Sequence, residues 1–178
     1  MIAEFRIHEA STLTGFTKYM LDYLAREDIF APMGQRAGRG VKRIYSYSDI
    51  VLLRALSHVC HNRGRIRHLR EALARFRDEF GPLVPGQRLQ HFLFVQGDEL
   101  CVSTGIEGGR QLRTGQLTLS FIVDLEVVAD EIRANLEVDK KTNTVTLRPE
   151  AAKRAEDERQ KTWGPIRARR ENLLVKAA

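Results

Sequence analysis

Two short apolar-periodic stretches divided by a glycine turn constrain this chain more than any other feature. IHEASTLTGF, starting at Ile7, puts the small Ala10 and the apolar Leu13 in a first helix between His8 and Thr14. Gly15 then stands where a tight turn needs a residue tolerant of positive φ. The pattern restarts as TKYMLDYLARED, with Thr17 in position to cap a second helix. That order and spacing predict a helix-turn-helix. Ahead of it, Met1 to Arg6 reads as an extended lead-in, with Ile2, Phe5 and Ile7 available to pack as a small strand or a staple.

In the second helix Met20, Leu21 and Leu24 take the core side, which leaves Thr17, Lys18, Tyr19 and Asp22 on the other. A polar helix face of this kind either enters a DNA major groove and touches its flanking phosphates or simply faces water. The next stretch separates the two readings. Ile29-Phe30-Ala31-Pro32 is apolar and ends in proline, as a short strand entering a wing would, and Gly34 to Arg43 then sets Arg36, Arg39, Lys42 and Arg43 among glycines with no acid between them. Such a loop is too rich in glycine for a helix and too charged for burial, so it should protrude and reach phosphates or the minor groove. A solvated charge run is the alternative, and the position of the loop, directly after the candidate recognition helix, favours DNA.

IYSYSDI follows as a strand-like run leading into a helix, with Ser48 and Asp49 at its start as the cap and Ile50, Leu53, Leu56 and Cys60 at helical spacing for the core. Gly64 marks a break. Beyond it Ile66, Leu69, Leu73, Phe76 and Phe80 form one apolar stripe, while Arg63, Arg67 and Arg70 lie on another face that either meets phosphates or only keeps the helix soluble.

Charge is distributed unevenly. Lys and Arg outnumber Asp and Glu by 14 to 9 in Met1 to Phe80 and by 8 to 5 in Pro149 to Ala178, whereas Gly81 to Arg148 has 7 against 9. A polyanionic partner therefore suits the two ends, and a protein partner suits the mildly acidic middle.

Catalytic and metal chemistry find no foothold. Cys60 and Cys101 are isolated from each other and from any CxxC or Cys/His cluster, which also makes a structural disulfide unexpected and a reducing cytoplasm the expected setting. His58, His61 and His68 have no carboxylate or cysteine to complete a ligand set and read as solvated or core histidines. There is no Ser/His/Asp order and no phosphate-binding glycine loop before a helix, and GIEGG, at Gly105 to Gly109, reads as a turn. We therefore expect no enzyme, no cofactor and no metal. No apolar run is long enough to cross a membrane, and the N-terminus lacks the apolar region of a signal peptide.

Gly81, Pro82, Pro85 and Gly86 form a linker, after which the periodicity changes. HFLFVQGDELCVST holds two apolar runs joined at Gln96-Gly97-Asp98, a β-hairpin signal. QLTLSFIV is a further strand. DLEVVADEIRANL turns helical with Leu125, Val128, Ala129, Ile132 and Leu136 on one side, and LEVDKKTNTVTLRP suggests a second hairpin around Lys140 to Asn143. The tail begins as a mixed-charge helix, AAKRAEDERQKTW, which Trp163-Gly164-Pro165 breaks before IRARRENLLVKAA. It either docks on a partner or second protomer or stays partly disordered until it does.

The N-terminal part resembles the winged-helix DNA-binding domain of the MerR family. DIFAP, Asp28 to Pro32, is similar to the family's segment closing the recognition helix, and RIYSYSDI, Arg43 to Ile50, to its run of a basic residue, Tyr45 and an Asp opening the next helix. The resemblance adds Tyr45 to the candidate DNA-binding residues. Where the family has an Arg followed by two tyrosines, this chain has Asp22, Tyr23 and Leu24, so contacts made by that Arg do not carry over. LREALARFRDEFG, QGDELCV, TGQLTLSFIV and DKKTNTVTLRP are similar to MerR-like antitoxins of the VapB type, which are paired with PIN-domain ribonucleases, although the chain ends in a charged helix and a basic tail instead of the further module common there.

These readings combine into an α+β protein: a winged helix-turn-helix over residues 1–80, a small mixed dimerisation or partner-binding domain over 81–149 and a charged helical tail over 150–178. The expected activity is dimeric, sequence-specific binding of double-stranded DNA in transcription regulation. Thr17, Lys18 and Tyr19 would read the major groove, and Arg36, Arg39, Lys42 and Arg43 would neutralise phosphates. An antitoxin that neutralises a PIN-type ribonuclease and autoregulates its operon, or a phage-type repressor, is the alternative, with residues 81–178 open to a protein partner.

Overall fold

In a computed structural model, residues 3–32, 43–59, 70–71, 73–74, 81–96, 99–103, 121–139 and 144–157 are described. The chain opens with strand β1 (Glu4–Arg6) and passes directly into helix α1 (Ile7–Thr14), followed by α2 (Lys18–Arg26), β2 (Ile44–Ser46) and α3 (Tyr47–Val59). β1 and β2 form a two-stranded antiparallel sheet in which Phe5 lies opposite Tyr45, both side chains buried. The lead-in is thus the strand that partners β2. Ile29 to Pro32, expected as a strand, is instead a bend and irregular chain, because those residues close α2. The N–H of Ile29 donates to the Leu24 carbonyl at 2.9 Å and that of Asp28 to the Ala25 carbonyl at 3.3 Å, with Asp28 at φ 52°. This is a Schellman closure, completed by the buried apolar pair Leu24 and Ile29.

The start of α3 also differs from expectation. The cap is Ser46, not Ser48: the Asp49 N–H donates to Ser46 Oγ at 3.1 Å and the Ser46 N–H to Asp49 Oδ2 at 2.9 Å. The S-x-x-D spacing builds a reciprocal capping box, which satisfies two backbone donors and explains how Asp49 is buried without cost from unmet hydrogen bonds. Ser48 Oγ instead accepts from the Leu83 N–H at 2.6 Å, tying the proline-glycine segment to the helix.

Helix α3 is apolar nearly all round. Ile50, Leu53 and Leu56 are buried as the spacing predicts, but Val51, Leu52, Ala55 and Val59 are buried as well. A helix of this kind needs partners on more than one side. On one side lies α1; on the other lie β5 (Phe121–Asp124) and α4 (Leu125–Arg133). The expected hairpin is present as β3 (Phe92–Gln96) and β4 (Glu99–Ser103), with Gln96 opposite Glu99, and β3 also pairs antiparallel with β5 to give the order β4-β3-β5. Leu93 and Val95 turn one face of β3 into the core, where Leu125, Val128, Ala129 and Ile132 of α4 meet them. Burying side chains of this size is worth about 1.5–3 kcal/mol each, so this patch is a substantial part of what holds the two halves together.

Asp124 caps α4, its Oδ1 accepting from the Glu126 N–H at 2.9 Å. The second expected hairpin is formed by β6 (Leu136–Asp139) and β7 (Thr144–Leu147), which pair antiparallel with Leu136 opposite Leu147. A helix over 149–157 follows. Its Ala151 and Ala155, one turn apart, are buried in the same cluster as Phe5 and Leu53, so one continuous core runs from β1 to this helix. Cys60, His61, His68, the apolar stripe other than Leu73, GIEGG and the tail after 157 lie outside the described residues.

Candidate nucleic-acid interface

The turn between α1 and α2 is built by local hydrogen bonds from small polar side chains. Gly15 adopts φ 78°, and its N–H donates to the Ser11 carbonyl at 3.1 Å. Ser11 Oγ donates to the Phe16 carbonyl at 2.8 Å, Thr14 Oγ1 donates to the Ala10 carbonyl at 2.7 Å, and the Phe16 N–H donates back to Thr14 Oγ1 at 3.2 Å. Ser11 and Thr14 are buried and fully engaged, so the turn has a single geometry. Thr17 then caps α2 as expected, its Oγ1 accepting from the Met20 N–H at 3.2 Å.

Leu21, Leu24 and Ala25 anchor α2 in the core, and Met20 packs against it. Thr17 is exposed, Lys18 is half-buried, and Tyr19 is 56% exposed. An aromatic and a cation at the N-terminal end of a helix that follows a rigid turn match what a groove-reading helix presents.

The other predicted residues distribute differently. Asp22 faces neither groove nor bulk water alone, because it bridges two cations: Arg26 Nε lies 3.0 Å from its Oδ2, and Arg43 Nη1 donates to its Oδ1. The Arg43 side chain is only 15% exposed. Arg43 is therefore turned inward to α2 instead of outward as a phosphate ligand. Tyr45 is overturned as a DNA contact, since its ring is 1% exposed and sits opposite Phe5 in the β1–β2 sheet. Burial pushes its hydroxyl up to about 12, the Arg43 guanidinium opposing this in part, and the hydroxyl has no hydrogen-bond partner among the described residues. Arg36, Arg39 and Lys42 lie outside the described residues. Arg70, read as facing phosphate or solvent, donates to Asp28 Oδ2 at 2.7 Å.

Sequence reading missed the residues that mount this unit on the rest of the protein. Arg54 of α3 reaches under the turn and donates through Nε to Glu131 Oε2 of α4 at 2.9 Å. His58 Nε2 lies 3.2 Å from the same oxygen. Burial raises the Glu131 carboxyl, but the hydrogen bonds from Arg54 and His58 outweigh it and leave the group below its usual value. No spacing signal links residues so far apart in the chain. Arg26 was missed as well, although its i+4 spacing from Asp22 is a signal that could have found it.

Helix α1, the glycine turn at Gly15 and the capped, half-exposed α2 form a helix-turn-helix arrangement. Residues 5–75 match the family model described as MerR HTH family regulatory protein, and this stretch is a MerR-like helix-turn-helix. The match spans fewer than half of the 178 residues and does not reach the hairpins on which the likeness to VapB-type antitoxins rests. No curated protein matches the chain. Among the described residues no helix is long and apolar enough to cross a membrane.

Proposed function

We propose that the protein is a sequence-specific transcription regulator that binds double-stranded DNA as a homodimer through a winged helix-turn-helix. The observation that carries this reading is the α1–turn–α2 unit, whose buried side locks the geometry and whose other side offers Thr17, Lys18 and Tyr19. Lys18 and Tyr19 read base edges and adjoining phosphates, while Arg36, Arg39 and Lys42 of the acid-free loop neutralise phosphates and set the register. A single unit of this size makes few base contacts, and twofold pairing doubles them, so the operator is palindromic or repeated.

The test is to select fragments from a random DNA pool with the purified protein and measure binding to the enriched sequence against salt. A repeated or palindromic motif is expected. Replacing Arg36, Arg39 and Lys42 together with Ala should weaken binding and lower the slope of log affinity against log salt by about three, close to one per lost phosphate contact. Absence of an enriched motif would refute sequence-specific recognition, and a monomer by light scattering, both free and on DNA, would refute the dimer.

A further inference from the structure

We infer that Asp22 and Arg43 are positioning residues for DNA binding: their ion pair fixes the start of β2 against α2 and so sets β2 relative to the groove-reading face of that helix. The inference rests on the DNA-binding reading above. Three observations carry it.

Arg43 is the residue immediately before β2, while Asp22 lies on α2, so the pair joins two elements separated by 21 positions in the chain. Its cation is largely withdrawn from solvent, whereas Asp22 is 40% exposed and Arg26 53%. A guanidinium so enclosed has little surface left to offer a phosphate. Two residues further along, Tyr45 is buried opposite Phe5 as its cross-strand partner, so β2 is anchored in the core as well as tied to α2 through Arg43.

An acid on a helix facing DNA normally weakens binding by repulsion. Here the carboxylate is shared by two arginines, so its local charge is already offset, and removing it releases Arg43 and Arg26 from their common anchor. The two roles thus predict opposite signs. If Asp22 only repels, Asp22→Asn tightens binding. If it positions, Asp22→Asn weakens binding although the protein gains positive charge.

The experiment is a double-mutant cycle on the full chain with Asp22→Asn, Arg43→Met and both together, read as affinity for the selected duplex across a salt series. Active fraction is fixed by stoichiometric titration, and the melting temperature is recorded in parallel. Each single variant should lose about tenfold in affinity, and the double variant should be no worse than the weaker single one, because both remove the same contact. The salt slope of Asp22→Asn should fall by about one in spite of the added charge, a change that partial unfolding cannot produce once active fraction is known. Asp22→Glu, which keeps the charge, should recover part of the loss. Tighter or unchanged binding by Asp22→Asn overturns the inference, as does strict additivity of the two substitutions. A wild-type protein with no salt-dependent affinity for duplex DNA would instead sink the DNA-binding reading itself.

Discussion

The guanidinium of Arg54 lies against Gly15, so that a Cβ at the turn would stand 2.9 Å from its Nη1. The same arginine is held from the far side by Glu131. Gly15 therefore meets two demands, a positive φ and an absent side chain. Gly15→Ala should destabilise the protein by about 1–2 kcal/mol in urea titration. Most of this comes from the backbone, since an arginine end can shift by a few tenths of an ångström. Gly15→Asn, whose side chain tolerates the left-handed region, should cost less than Gly15→Ala.

At Asp28 the same conformational argument runs the other way. This residue holds φ 52° at the close of α2, where glycine is the usual occupant. Asp28→Gly should raise stability by about 0.5–1 kcal/mol, even though the exposed bond from Arg70 is lost. An unchanged or lower midpoint in denaturant would show that the ion pair matters more than the backbone.

Tyr45 gives a prediction at high pH. Its folded hydroxyl ionises near 12 against the ordinary 10, because burial disfavours the phenolate. A raised value means that stability is complete below pH 10 and declines as pH rises from 10 through about 12. Tyr45→Phe should flatten this alkaline limb of the stability curve. It should also hold or raise stability at neutral pH, by up to about 1 kcal/mol, because the buried hydroxyl it deletes has no partner among the described residues.

At low pH the carboxylates of α4 dominate. The Leu89 N–H bonded to Glu126, with Arg133 beside it, holds this carboxyl below its ordinary 4.5, and Glu131 is lowered by Arg54 and His58 against the opposing effect of burial. Depressed values mean stability that is present above 4.5 and lost as pH falls through the folded values. In acid titration followed by circular dichroism, Glu126→Gln should shrink the loss below that pH, and Glu126→Gln with Glu131→Gln should shrink it further.

The helix-turn-helix was legible because local rules decide it. Gly15 and Thr17 announce turn and cap by residue type alone, and Leu21 and Leu24 announce the buried side of α2. The hairpins at Gln96 and after Asp139 were legible for the same reason. Two local signals were misassigned. Ser46 precedes α3 and Ser48 lies in its first turn, and only the three-residue offset to Asp49 selects Ser46. Ile29 and Phe30 look like a strand because they are apolar, yet their burial serves the helix closure.

What the sequence concealed is mostly tertiary. Tyr45 enters the candidate contacts only through the family resemblance of its motif, while its pairing with Phe5 depends on a strand forty residues upstream. Likewise, nothing near Asp22 reveals that Arg43 will return to it, and nothing near Arg54 points to Glu131. Long-range ion pairs have no periodicity, so they leave no pattern to read.

Helix α3 is enclosed by α1 in front and by α4 and β5 behind. A recognition unit with its own finished back surface can be transplanted between proteins as a cassette. This one is not finished in that way, because α3 also contacts α4 and β5, and its Val51, Leu52 and Val59 belong to the core shared with them. The helix-turn-helix and the sheet therefore share one apolar core, joined through α3.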